Sequence, residues 1–143
     1  MAARNTARKR AFQILFEGDQ RGVDVLTVLA DWIRHSRTDT RQPPVSEYTM
    51  QLVEGYAKRV PRIDELIAQY AVDWTLDRMP VVDRNILRLG AYELIWVDET
   101  PDAVVLDEMV QLAKEFSTDE SPAFVNGLLG RFKDLKPSLR RDE

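Results

Sequence analysis

The sequence contains no cysteine, which excludes a disulfide framework, a thiolate zinc site and a cysteine nucleophile. Its one histidine, His35, is too little for a multi-histidine metal centre or for a serine triad with a second general base, and it reads as a surface residue. No apolar run approaches the roughly 18 residues of a membrane span. The N-terminal residues also lack the apolar segment and small-residue cleavage site of a secretory leader. Residues 1–16 are Arg-rich and free of acid, a composition shared with organellar transit peptides, but their apolar positions fall at helical spacing and point to a retained helix. The expected location is the cytoplasm. Glycine and proline are scarce, at six and seven residues, which leaves no material for a collagen-like or low-complexity segment. A Walker loop, a Gly-x-Gly-x-x-Gly turn after a strand and a His-Glu-x-x-His helix are all missing, so neither a cofactor nor a metal is expected.

What is present is a chain of 143 residues, 44% hydrophobic and 31% charged, enough to bury one core without covalent staples. A single domain over 1–143 is expected. Apolar residues recur at helical spacing along nearly the whole chain. The first helix is expected to start at Asn5 or Thr6 as cap and to run through Ala7, Ala11, Ile14 and Leu15 to about residue 20, with Gly18 and Gly22 bracketing its end. A second, about 25–36, carries Leu26, Leu29, Ala30 and Ile33 on one face, with Trp32 beside it. Polar residues 38–42 and two prolines then mark a solvated connection. Ser46 and Thr49 cap a third helix that Pro61 stops near Arg59, and a fourth buries Ile63, Leu66, Ile67 and Tyr70 before a turn over 73–79.

Pro80 suits the first turn of a fifth helix, 81–97, which is apolar around most of its circumference and belongs in the middle of the fold. Gly90 within it predicts a close helix-helix approach. Pro101 separates a sixth helix with a Val105, Met109, Leu112, Ala113 and Phe116 stripe. Ser121 as cap and Pro122 in the first turn open a seventh, which buries Phe124, Val125, Leu128, Leu129 and Phe132. With no convincing strand, the fold class is all-α, a single compact seven-helix bundle of two helical sub-bundles sharing one core.

The net charge of −4 does not by itself favour nucleic acid, but its distribution is uneven. Arg4, Arg8, Lys9 and Arg10 form a basic head, whereas residues 98–120 are strongly acidic. On a helix Arg4 and Arg8 stack one turn apart and Lys9 and Arg10 widen the cationic surface, so several donors follow a phosphate backbone while Phe12 and Leu15 anchor the helix. Charge alone does not separate this reading from a solubilising terminus. Adjacent carboxylates such as Asp107 and Glu108 diverge by about 100° on a helix and read as a solvated face rather than an acid-base pair. The spacing of Gly127 and Gly130 matches an RNA-clamping loop, but the pair lies in an apolar stripe and reads as helix packing.

The segment Trp74-Thr-Leu-Asp-Arg-Met-Pro-Val-Val-Asp83-Arg-Asn-Ile-Leu-Arg-Leu-Gly-Ala-Tyr-Glu93-Leu resembles the signature of the NusB family of bacterial transcription antitermination factors. Asp107-Glu-Met-Val-Gln-Leu-Ala-Lys-Glu-Phe116 with Phe124-Val-Asn-Gly127 resembles the family's second block, and Ala7-Arg-Lys-Arg-Ala-Phe-Gln-Ile-Leu-Phe16 its Arg-rich opening. The resemblance implies a seven-helix, non-enzymatic protein that binds the boxA element of ribosomal RNA leaders together with NusE, a small-subunit ribosomal protein. Through them it acts on RNA polymerase with the other Nus factors, as a monomer or a homodimer. It implies RNA contacts at Arg4, Arg8, Phe16, Tyr70, Phe124 and Asn126, to which the charge reading adds Lys9 and Arg10, more basic here than in many members, and a NusE-facing pair at Asp83 and Arg84. Rings at such positions stack on unpaired bases and an amide reads a base edge. The chain departs from the pattern at Asp107, where Asn is usual, and at Gly130, where an acid is common. Two other readings are an adaptor whose basic head meets an acidic protein, and an RNA-targeting domain like that preceding certain ribosomal RNA cytosine methyltransferases.

Overall fold

A computed structural model describes residues 2–71 and 74–140. Among them are seven helices and no strand: α1 Ala2–Arg21, α2 Val25–Thr38, α3 Glu47–Ala57, α4 Val60–Tyr70, α5 Val81–Trp96, α6 Asp102–Phe116 and α7 Ser121–Leu139. None of these is long and apolar enough to cross a membrane. The chain divides into two compact units, Met1–Lys58 and Arg59–Glu143. The division falls between α3 and α4, not at the polar, proline-bearing connection before α3.

In the first unit α1 packs against both α2 and α3. Helix α1 begins before Asn5 and Thr6, which are exposed helical residues and not the expected cap. Its end is as the glycines predict. Gly22 takes φ +68°, a left-handed conformation open to glycine at little cost, and the Val23 amide donates back to the Gly18 carbonyl at 3.0 Å, closing the last turn. Asp24 caps α2 by accepting the Leu26 amide. Ser46 caps α3 by accepting the Thr49 amide at 3.2 Å. Thr49 in turn donates its hydroxyl to the Ala7 carbonyl at 3.0 Å in a buried position, fixing the first turn of α3 against α1.

In the second unit α5, α6 and α7 pack mutually and α4 lies on α5. Pro61 sits in the first turn of α4 and does not itself stop α3, which ends at Ala57. Pro80 takes the capping position of α5, one residue before the expected place. The turn leading into it was expected to begin at Asp73, which lies outside the described residues. Ile86, Leu87, Leu89, Leu94 and Ile95 are fully buried, as a helix apolar on most sides requires. A bidentate ion pair from Arg88 to Asp64, at 2.9 and 3.1 Å, ties α5 to α4.

Candidate nucleic-acid interface

The basic head lies on α1, where two aromatic rings from the other helices of its unit meet it. The Arg4 guanidinium carbon stands 4.3 Å from the centre of the Tyr48 ring, contributed by α3. That of Arg8 is 5.6 Å from the same ring. On another side of α1, Arg10 stands 5.2 Å over the Trp32 ring of α2 and donates to the Pro44 carbonyl at 2.8 Å. Partial burial lowers the Arg10 pKa from its ordinary value. Trp32 is itself held by its indole N–H donating to Glu17 at 3.1 Å. Such cation-ring contacts attract through the ring quadrupole.

Exposure divides the head. Arg4, Lys9 and Arg10 are half-buried and keep accessible surface, whereas Arg8 is only 2% exposed. Arg8 therefore corrects the expected row of phosphate donors: one turn after Arg4 it lies on the enclosed side of α1 and presents no charge to solvent. Phe16 is half-buried, its ring centre 6.1 Å from that of the buried Phe12.

In the second unit Tyr70, Trp74, Phe124, Gly127 and Arg131 line a groove of about 480 Å³. Trp74 and Phe124 meet edge to face with ring centres 5.2 Å apart. Tyr70 makes the same kind of contact with the buried Phe132 at 5.8 Å, while Arg131 stands 5.1 Å over the Tyr70 ring. Trp74 is 37% exposed and Phe124 half-buried, so Phe124 forms a groove wall as well as part of the α7 stripe. Asn126 is exposed on α7. A β-carbon at Gly127 would meet nothing within 4 Å. This overturns the packing role expected of that glycine, which instead leaves the groove floor open. Gly130 makes only marginal contact, with Leu106 Cδ2 4.0 Å from its built β-carbon.

The expected partner-facing pair also separates. Asp83 is fully buried, accepting a hydrogen bond from the Ser117 hydroxyl and another, at 2.8 Å, from that of Ser121. Its carboxylate ties the start of α5 to the start of α7 and offers no charge to a partner. For the same reason Ser121 is not the α7 cap: its hydroxyl is directed to Asp83, and Glu120 holds the capping position. Arg84 keeps part of its surface and donates to the Leu76 carbonyl at 3.2 Å.

Sequence reasoning missed Tyr48, Trp74 and Arg131 as site residues. For Arg131 the signal was available: Phe124, Gly127, Leu128 and Arg131 follow one helical stripe at i, i+3, i+4 and i+7. Tyr48 gave no such signal, because its ring reaches Arg4 only once α3 has docked on α1.

A family model for NusB matches residues 5–134. The chain belongs to the NusB family. It is 92% identical over 143 residues to the transcription antitermination protein NusB of Streptomyces avermitilis, covering 100% of this chain and 99% of that one. NusB of T. maritima is 32% identical with a TM-score of 0.79, over 92% of this chain and 90% of its own. A NusB crystallised with NusE and double-stranded RNA is 28% identical with a TM-score of 0.79, over 94% of this chain and 98% of its own. The chain is thus an RNA-binding antitermination factor of the NusB type. Among the described residues, no three His, Cys, Asp or Glu side chains group to hold a metal ion.

Proposed function

We propose that this factor binds the boxA element of nascent ribosomal RNA leaders through two chemically different patches, one on each unit. Arg4, Lys9 and Arg10 on α1 take phosphates, with Phe16 farther along that helix. The groove of Tyr70, Trp74, Phe124 and Arg131 takes unpaired bases, and Asn126 beside it reads a base edge. The observation that carries this reading is the groove itself, in which the exposed Trp74 ring, the half-buried Tyr70 and Phe124 rings and a guanidinium converge around an open space at Gly127. That combination suits stacking on bases better than it suits a protein helix, which would require a longer continuous apolar surface.

NusE is the proposed protein partner, supported by the related NusB that was crystallised with NusE and RNA, and Arg84 is the accessible charge on the α5 side. Simultaneous attachment to RNA and to a ribosomal protein gives a tethered complex that neither contact alone would hold, acting on RNA polymerase in the cytoplasm.

Fluorescence anisotropy of a labelled boxA-like RNA, with and without NusE and beside a scrambled RNA of equal length, tests the proposal. Wild-type protein should prefer boxA, and Phe124→Ala should lose about 1–3 kcal/mol of that binding, the value of one stacked base. Equal affinity for both RNAs, or no effect of Phe124→Ala, would overturn it.

A further inference from the structure

We infer that Tyr48 is a positioning residue for RNA binding, a shelf that holds Arg4 pointed at the phosphate before the RNA arrives. The inference rests on the phosphate-binding reading of α1 given above and adds to it a residue from another helix. The separation of 4.3 Å between the Arg4 guanidinium carbon and the Tyr48 ring centre is that of a cation seated on the ring face. At that distance a planar guanidinium can lay its face on the ring, an arrangement that leaves its N–H edges available for bidentate contact to a phosphate.

The shelf is built to hold its register. Tyr48 lies in the first turn of α3, which Ser46 caps through the Thr49 amide. The next residue, Thr49, donates its hydroxyl to the carbonyl of Ala7 at 3.0 Å and is fully buried. That carbonyl belongs to the turn of α1 between Arg4 and Arg8, so the hydrogen bond fixes the ring opposite the two arginines. The buried Arg8 guanidinium approaches the same ring at 5.6 Å. One ring therefore faces two like charges a single helical turn apart, and its negative face offsets their repulsion. Arg4 otherwise sits near the fraying end of α1, where a long side chain would be free to sample many rotamers. Seating it beforehand removes part of the ordering cost from the binding step.

The test is a double-mutant cycle on RNA affinity. Tyr48→Leu should weaken binding of labelled boxA-like RNA by about fivefold, within the roughly 2- to 30-fold range of a single cation-ring contact. Tyr48→Phe, which keeps the ring, should bind within about twofold of wild type. In an Arg4→Ala background Tyr48→Leu should have no further effect, because the side chain it positions is gone. Arg4→Lys keeps the charge but not the planar, forked guanidinium, and should lose affinity while retaining the wild-type salt slope. This variant leaves α3 untouched and so serves even if Tyr48→Leu fails to fold. Additive losses in the cycle, equal losses in Tyr48→Phe and Tyr48→Leu, or full affinity in Arg4→Lys would each overturn the inference. If Arg4→Ala itself binds as wild type does, it is the phosphate-binding reading of α1 that fails, a result distinct from these.

Discussion

Gly90 of α5 lies directly beneath Leu129 of α7: a β-carbon built at Gly90 would come within 2.7 Å of Leu129 Cδ1 and 2.9 Å of Met109 Cγ on α6. Three helices of the second unit meet at that one missing side chain. Gly90→Ala should therefore destabilise by about 1–3 kcal/mol through overpacking, more than offsetting the up to about 1 kcal/mol gained in helix propensity. Gly127→Ala gains the same propensity and meets nothing within 4 Å, so it should stabilise by about 0.5–1 kcal/mol. Urea unfolding of the two variants checks the contrast. A more stable Gly90→Ala would rule out the close contact.

Asp83 should matter for folding rather than for partner binding. Truncation to Ala leaves the Ser117 and Ser121 hydroxyls without their shared acceptor, an expected loss of about 1–3 kcal/mol. NusE affinity of the folded Asp83→Ala variant should be unchanged in a binding titration, whereas Arg84→Ala should weaken it. A selective loss of NusE binding in Asp83→Ala at unchanged stability would contradict the buried role.

The cations of α1 should separate by exposure. Arg4→Ala and Arg10→Ala should each weaken RNA binding and flatten the log-log salt dependence by about one unit. Arg8→Ala should instead lower stability by about 1–3 kcal/mol, in the range of a buried-site substitution, with the salt slope retained. Anisotropy titrations at several salt concentrations, beside thermal melts, distinguish the two behaviours.

Acid should loosen a surface cluster in the first unit. Hydrogen bonding to Arg34, and secondarily to Arg21, holds the Asp31 carboxyl below the usual range despite the opposing effect of desolvation. A carboxyl with a depressed folded-state pKa contributes stability above its unfolded value of about 3.9 and loses it as pH falls through the folded-state value. Asp31→Asn should thus change stability little in strong acid and slightly lower it near neutrality. Both arginines are well exposed, so the effect should shrink in high salt. Chemical denaturation as a function of pH, at low and high salt, measures it.

Helix number and most helix faces were legible in the chain because they follow from spacing. Residues three and four apart share a helix face whatever else the chain does, so Ile63, Leu66 and Ile67 could be assigned to a buried stripe before any neighbour was known. Helix ends were legible where one residue imposes them, as Gly22 and Ser46 do. They were misread where the signal was shared: Asn5, Thr6 and Ser121 are good caps by type, yet two lie inside α1 and the third has its hydroxyl committed to Asp83.

The sequence alone determined an all-helical, cysteine-free chain with a basic opening helix, because composition and periodicity act over a few residues. Tertiary structure alone decided which of those cations meet solvent, that Tyr48 seats Arg4, and that Asp83 faces inward to hydroxyls 34 and 38 positions away. The physical reason is one of range. A helix turn is closed by neighbours in the chain, whereas the environment of a charge is set by whichever distant residues folding brings against it.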